Sequence, residues 1–210
     1  MLRNQNETNE LFDGWARTYD KDLKNASGPL FGYDHSIAQA AQMTEVGENE
    51  KMLDIGIGTG TFAALISGEN AEVWGVDPSS QMLDQCKVKH PDYHLRQGTF
   101  TETTITNEQF NHVISSFCFH EVSPKERDKA LLEMLRLLKP GGKFLLLDIM
   151  FVSEAAQKDS REKIGKYWDE TEDYPQVAQL DVMIRQTGFT NIRWTNTAPY
   201  HWAVTGRKKK

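Results

Sequence analysis

Two carboxylates and a run of alternate glycines are the residues of this chain whose types and spacing could do chemistry. Asp54 stands two residues before Gly56, Gly58 and Gly60 follow at alternate positions, and Asp77 lies about twenty residues further on. Lys51 to Ile55 reads as a short buried strand, and Phe62, Leu65 and Ile66 mark the start of a helix. A strand passing through glycines into a helix lets backbone approach a ligand at a helix N-terminus. The spacing is not the G-x-G-x-x-G of dinucleotide folds, because Thr61 occupies the place of the third glycine. A carboxylate at Asp54 would repel a pyrophosphate and favour a cationic ligand. Asp77 follows a second strand, Glu72 to Val76, where an acid can accept two ribose hydroxyls at once. The expected ligand is a ribonucleoside carrying positive charge. Each residue also has a structural reading: the glycines as a tight turn, Asp54 as a cap on the loop, Asp77 as the N-cap of the helix after Pro78.

The elements that must hold these groups follow from hydrophobic period. Strands are expected near 51–55, 72–76, 93–96, 111–116 and 143–150, with helices between them. Met82, Leu83 and Cys86 mark the helix entered through Pro78, Ser79 and Ser80. Pro124 to Leu138 is the clearest helix, with Ser123 and Glu126 as a capping box, Leu131, Met134, Leu135 and Leu138 as its buried stripe, and Lys139 to Gly142 as its terminating turn. Leu11, Phe12, Trp15, Ala16 and Tyr19 form a first helical stripe, and Ile37, Ala38, Ala41 and Val46 a second. A last helix is expected around Leu180 to Gln186. Two strands, 189–195 and 200–206, then pair antiparallel across a short loop containing Pro199. Repeated strand–helix alternation means an α/β fold, a mostly parallel sheet with helices on both faces.

At 210 residues, 39% hydrophobic and 26% charged, the chain suits one domain of ordinary globular composition. A net charge of −6 gives no general attraction for nucleic acid, and the basic run Arg207 to Lys210 reads as a solvated tail. No apolar run is long enough for a membrane span, and the polar start carries no secretory pattern, so a cytoplasmic location is expected. Cys86 and Cys118 match no metal or redox spacing and read as small core residues. His112 is expected at the surface or half-buried, and Glu121 solvated. No metal site is expected, since His112 and the pair His120, Glu121 lack partners.

These motifs resemble the class I S-adenosylmethionine-dependent methyltransferases over nearly the whole chain. Asp54-x-Gly56-x-Gly58-x-Gly60 is similar to that family's first motif. Val76-Asp77-Pro78-Ser79 with Met82 resembles the motif after the second strand, and Leu137 to Gly142 the turn before the fifth. Phe12-x-x-Trp15-Ala16-x-x-Tyr19-Asp20, Gly32-Tyr33-Asp34-His35, Ser115-Ser116-x-x-Phe119-His120 and Glu170-Thr171-Glu172-x-Tyr174-Pro175 are similar to small bacterial methyltransferases of the YrrT type, whose substrates are unassigned. The resemblance implies a Rossmann-like seven-stranded sheet in the order 3-2-1-4-5-7-6, its last strand antiparallel. A single domain over 1–210 is expected, with a helical cap or lid over 1–50; the insertion over 153–176, with Tyr167, Trp168 and Tyr174, reads as a cover on a substrate pocket or as an amphipathic helical insertion packed on the sheet.

The implied cofactor is S-adenosylmethionine, whose sulfonium and ammonium meet the charge expected above, with S-adenosylhomocysteine as product. Its site comprises Tyr19, Asp54, Gly56, Gly58, Thr59, Gly60, Asp77, Pro78, Met82, Gly98, Thr99, Phe100, Ser115 and Ser116. Thr99 departs from the family, standing where an acid usually receives the adenine amine; its hydroxyl can still accept. Tyr33, Phe117, His120 and Asp148 are expected at the acceptor, with His120 as candidate general base because its neutral form is available near pH 7. Methyl transfer depends mainly on proximity and alignment, so no catalytic dyad is required. No Asn-Pro-Pro-Tyr-like segment follows the fourth strand, which favours a small-molecule acceptor over an adenine or glutamine amide. No nucleic acid or membrane partner is expected, and the chain is expected to be a monomer or homodimer. The competing readings are an NAD(P)-dependent oxidoreductase and a non-catalytic S-adenosylmethionine-binding protein.

Overall fold

The computed structural model describes residues 2–24, 26–106 and 109–210. The N-terminal arm carries α1 (Gln5–Trp15), α2 (Tyr19–Leu23) and α3 (Tyr33–Ala41). Alternating elements follow: β1 (Lys51–Ile55), α4 (Thr61–Ile66), β2 (Glu72–Asp77), α5 (Ser80–Lys89), β3 (His94–Gln97), β4 (Phe110–Ser116), α6 (Arg127–Leu137) and β5 (Leu138–Ile149). The chain closes with α7 (Glu154–Ile164), α8 (Val177–Thr187), β6 (Thr190–Ala198) and β7 (His201–Arg207). One seven-stranded sheet forms in the order β3-β2-β1-β4-β5-β7-β6. All neighbours are parallel except β5–β7 and β6–β7, so β7 is the inverted strand, as expected.

Period-two alternation distributes the core over both faces of the sheet. Leu53, Ile55, Val113 and Leu146 meet α6 and α8 through Leu131, Met134, Leu180 and Ile184. Met52, Ile114, Leu145 and Leu147 point the other way, onto Ile37, Ala40, Phe62 and Ala63 of α3 and α4. Leu145, Leu146 and Leu147 are each fully buried, and burial of such a side chain contributes about 2 kcal/mol.

Several elements depart from the sequence expectation. The first stripe is not one helix: Ala16 to Thr18 separate α1 from α2, Leu11 is exposed, and Thr8 is the buried residue of α1. Val46 is buried but lies beyond α3. Helix α6 starts at Arg127, not Pro124, because the Ser123 hydroxyl donates to the Glu126 carboxylate (3.0 Å) instead of capping a backbone N–H. Strand β5 already begins at Leu138. The expected turn over Lys139 to Gly142 is absorbed as a register shift against β4, with Gly141 at φ +78°. His112 is fully buried rather than at the surface; its Nε2 lies 2.8 Å from Glu50 Oε2 and its Nδ1 3.3 Å from Thr44 Oγ1.

Candidate cofactor and acceptor site

The sheet order reverses between β1 and β4, and in open α/β sheets ligands settle in the crevice at such a switch point. A cavity of about 250 Å³ opens there, beyond the C-terminal ends of β1 to β4. Of the residues singled out above, the glycine loop contributes Gly56 and Gly58, and the end of β2 contributes Asp77, Pro78 and Met82. Gly98, Thr99 and Phe100 follow β3, and Ser116 and Phe117 end β4. Tyr19 closes one side.

The loop geometry follows from close approach. Gly56 has φ +76°, and a Cβ on it would meet Cys118 Sγ at 2.3 Å, so only glycine fits. Gly58 has φ +54°, but a Cβ there would meet nothing within 4 Å, because this part of the loop faces open space. The Gly58 amide donates to Asp77 Oδ2 (2.8 Å) and the Ser79 amide to Oδ1 (2.9 Å), so one carboxylate ties the glycine loop to the start of α5. Burial pushes Asp77 up to about 6, against the lowering effect of those two amides.

Behind the loop, Asp54 is 1% exposed and neither carboxylate oxygen has a hydrogen-bond partner among the described residues. Burial, with the charge of Asp77 added, holds its pKa well above the carboxylate range. The buried Ser115 hydroxyl, on the neighbouring strand, is likewise unpartnered. Unsatisfied buried polar groups are rare in folded chains and call for a ligand or another explanation.

Thr59 and Gly60 do not line the cavity. The Thr59 hydroxyl donates to Asp20 Oδ1 (2.6 Å) and so holds the N-terminal arm, while Gly60 caps α4. The Thr99 hydroxyl accepts from the Glu102 amide (3.1 Å), closing a turn at the cavity edge.

On the β4–β5 side, Phe117 has φ +50°, a strained value for a bulky residue. Its ring packs on Tyr33 (4.9 Å between centroids) and edge-on against His201 (4.8 Å). His120 is 6% exposed, and its Nδ1 lies 2.5 Å from Asp148 Oδ1, while its backbone N–H donates to Asp148 Oδ2 (3.0 Å). Burial favours the neutral ring, but Asp148, Glu172 and Glu121 outweigh it and push the pKa up to about 10. These three carboxylates favour the protonated ring, whereas the expectation of a general base drew on its neutral form.

Sequence reasoning missed the opposite wall, formed by Arg3, Asn4, Gln5, Thr8 and Phe12 of the arm. Its one legible signal was the capping box at Asn4 and Glu7, which fixes where α1 begins but not what it covers. Glu121 is not solvated; its side chain is 12% exposed and pairs with Arg3 at 2.5 Å. Cys118 is half-buried at the cavity rather than in the core. His120 and Glu121 do gain a third potential ligand, Glu172, with ligand atoms within 4.8 Å of one another. Arg3 already pairs with both carboxylates of that group.

Residues 52–142 match the sequence profile of a methyltransferase domain. An uncharacterised methyltransferase of Staphylococcus carnosus (strain TM300) is 30% identical over 212 residues, covering 93% of this chain and 97% of that one. Among solved structures, a Thermotoga maritima S-adenosylmethionine-dependent methyltransferase superposes with TM-score 0.70 at 18% identity, covering 96% and 99% of the two chains. The [4+2]-cyclase SpnF superposes with TM-score 0.78 at 15% identity, over 100% of this chain and 97% of its own. The chain belongs to the class I S-adenosylmethionine-dependent methyltransferase family. Its relatives by sequence are bacterial methyltransferases. Among the described residues no helix is long and apolar enough to cross a membrane.

Proposed function

We propose that the cavity binds S-adenosylmethionine and that the chain transfers its methyl group in line to a small-molecule acceptor. The observation that carries this reading is Asp54: a buried carboxyl whose oxygens have no partner among the described residues, behind a glycine loop that faces open space. Asp54 would hold the ammonium, Asp77 the ribose hydroxyls, and Gly56 and Gly58 would lie along the methionine moiety. Met82, Pro78, Gly98, Thr99 and Phe100 would enclose the adenine. Ser115, Ser116 and Tyr19 would complete the methionine end, with Thr59 and Gly60 shaping the loop from behind. Bound there, the cofactor supplies an electrophilic methyl on a sulfonium.

Tyr33, Phe117, His120 and Asp148 would frame the acceptor. Asp148 fixes the His120 ring, and an acceptor that loses a proton would require His120 to release its own first. The chain then works as one cytoplasmic domain, monomeric or dimeric, with no nucleic-acid or membrane partner. Its N-terminal helices close the cavity, and residues 153–176 support them.

Calorimetry with S-adenosylmethionine, S-adenosylhomocysteine and NAD tests the cofactor. Binding of the two sulfur nucleosides and not NAD is expected; binding of NAD alone would overturn the reading. A labelled-methyl screen over small metabolites then separates catalyst from non-catalytic binder, a distinction worth making because the same fold carries a cyclase.

A further inference from the structure

Within the N-terminal arm, α3 packs into the apolar core, whereas α1 and the residues before it are fastened mainly by polar contacts. Helix α1 buries Thr8, while Leu2 and Leu11 stay exposed. Asp13 accepts from the Ser79 hydroxyl (2.5 Å) and Asp20 from the Thr59 hydroxyl (2.6 Å). The strongest fastening is Arg3, whose guanidinium is 13% exposed. Its Nη1 donates to Asp169 Oδ2 (2.7 Å) and Thr171 Oγ1 (2.9 Å), its Nη2 to Glu121 Oε1 (2.5 Å) and Glu172 Oε1 (2.7 Å).

Two of those acceptor atoms have a second neighbour. Glu121 Oε1 lies 3.8 Å and Glu172 Oε1 3.9 Å from His120 Nε2, just beyond hydrogen-bond reach. The same two oxygens therefore stand between Arg3 and His120. We propose that Arg3 is a positioning residue for His120: docking of the arm draws Glu121 and Glu172 onto the guanidinium and away from the ring, so that closure over the cavity is coupled to the ring's protonation and hydrogen bonding. The consequence for catalysis rests on the reading of His120 as an acceptor-side residue; the coupling itself is between groups of this chain.

The groups around the ring come from five elements. Asp148 stands on β5, Glu121 on its own turn, Glu172 and the Tyr174 ring (5.9 Å between centroids) on the segment after α7, Arg3 on the arm and His201 on β7. Tyr174 donates its hydroxyl to the other Glu172 oxygen, which fixes that side chain from behind. With Arg3 docked, the guanidinium offsets the two carboxylates. With Arg3 removed, both oxygens are free to accept from Nε2–H, and the imidazolium is held more firmly.

The test is an alkaline pH titration of the His120 ring by NMR in imidazole-labelled protein, assigned with His120→Gln. Arg3→Gln is expected to raise the midpoint by about one unit and to bring a downfield Nε2–H resonance at neutral pH. Arg3→Lys keeps the charge and stays near wild type, and Glu172→Gln lowers the midpoint. Simple detachment of the arm would move Arg3→Gln and Glu172→Gln in the same direction, which would overturn the proposal, as would an unmoved midpoint in Arg3→Gln. S-adenosylhomocysteine binding to the wild-type chain is measured in parallel. Failure to bind would sink the cofactor reading and leave the Arg3–His120 coupling intact.

Discussion

Asp54 answers two opposed demands. A buried carboxyl with no partner among the described residues costs stability, and burial shifts it toward its neutral form. An ammonium against it would restore the ionised form, so cofactor binding at neutral pH is expected to release a proton. Calorimetry in buffers of different ionisation enthalpy reads that release directly; an enthalpy independent of buffer would remove Asp54 from the ammonium site. Asp54→Asn should hold or raise thermal stability while weakening S-adenosylmethionine binding about a hundredfold, the loss of one or two charge-assisted hydrogen bonds. His120, also raised, is favoured in its charged form instead. Its folded pKa of about 10 exceeds the 6.5 of the free side chain. Its contribution to stability is therefore complete below pH 6.5 and lost as pH rises toward 10.

At the scale of elements, the glycine loop and the start of β7 make different predictions. Gly58→Ala meets no atom but carries a left-handed φ, so a stability loss of about 1–2 kcal/mol is expected. Its methyl points into open space where the ligand is proposed, so cofactor affinity should fall about tenfold or more. Denaturation and calorimetry on one sample separate the two effects, and unchanged affinity would move the ligand off the loop. At β7, His201 is fully buried, its Nε2 2.7 Å from the Pro29 carbonyl and its Nδ1 2.7 Å from Ser36 Oγ. The carbonyl can only accept, so Nε2 carries the proton and Nδ1 accepts from Ser36. Burial pushes this ring down to about 4. The unfolded chain therefore binds the extra proton between about 6.5 and 4, and the stability from this neutral ring is lost as pH falls through that window. The stability gap between wild type and His201→Gln should shrink from neutral to mildly acidic pH, as chemical denaturation would show.

Over the whole molecule, the sheet core and the start of the N-terminal arm differ in what holds them. The core is apolar on both faces and takes in α3, whereas the arm ahead of α3 is also joined through Arg3, Asp13 and Asp20. Salt screens ion pairs and leaves hydrophobic burial in place. Hydrogen exchange of α1 should accelerate with ionic strength while β1, β4 and β5 stay protected. Salt-independent protection of α1 would show an apolar attachment instead.

Much of this fold was legible in the residue pattern because its information is local. Leu53, Ile55 and the run from Leu145 to Leu147 announce buried parallel strands, and Asp54 with its glycines announces the loop beside them. Class membership followed from the same short segments. The misreadings have more than one source. The capping box at Ser123 was overruled by its near neighbour Glu126 and the single first helix broke at Ala16 to Thr18, whereas the turn at Lys139 to Gly142 became strand because the distant β4 lay alongside it. Site chemistry divides in the same way. The sequence by itself determined the strand order's raw material, the glycine loop and the two acids, since backbone period and φ preference act over a few residues. Only the tertiary structure decided that Asp54 has no partner among the described residues, that His120 sits among Asp148, Glu121 and Glu172, and that Arg3 reaches the last two. Burial and electrostatic pairing depend on which side chains the fold brings together from far apart in the chain, and no local spacing encodes that.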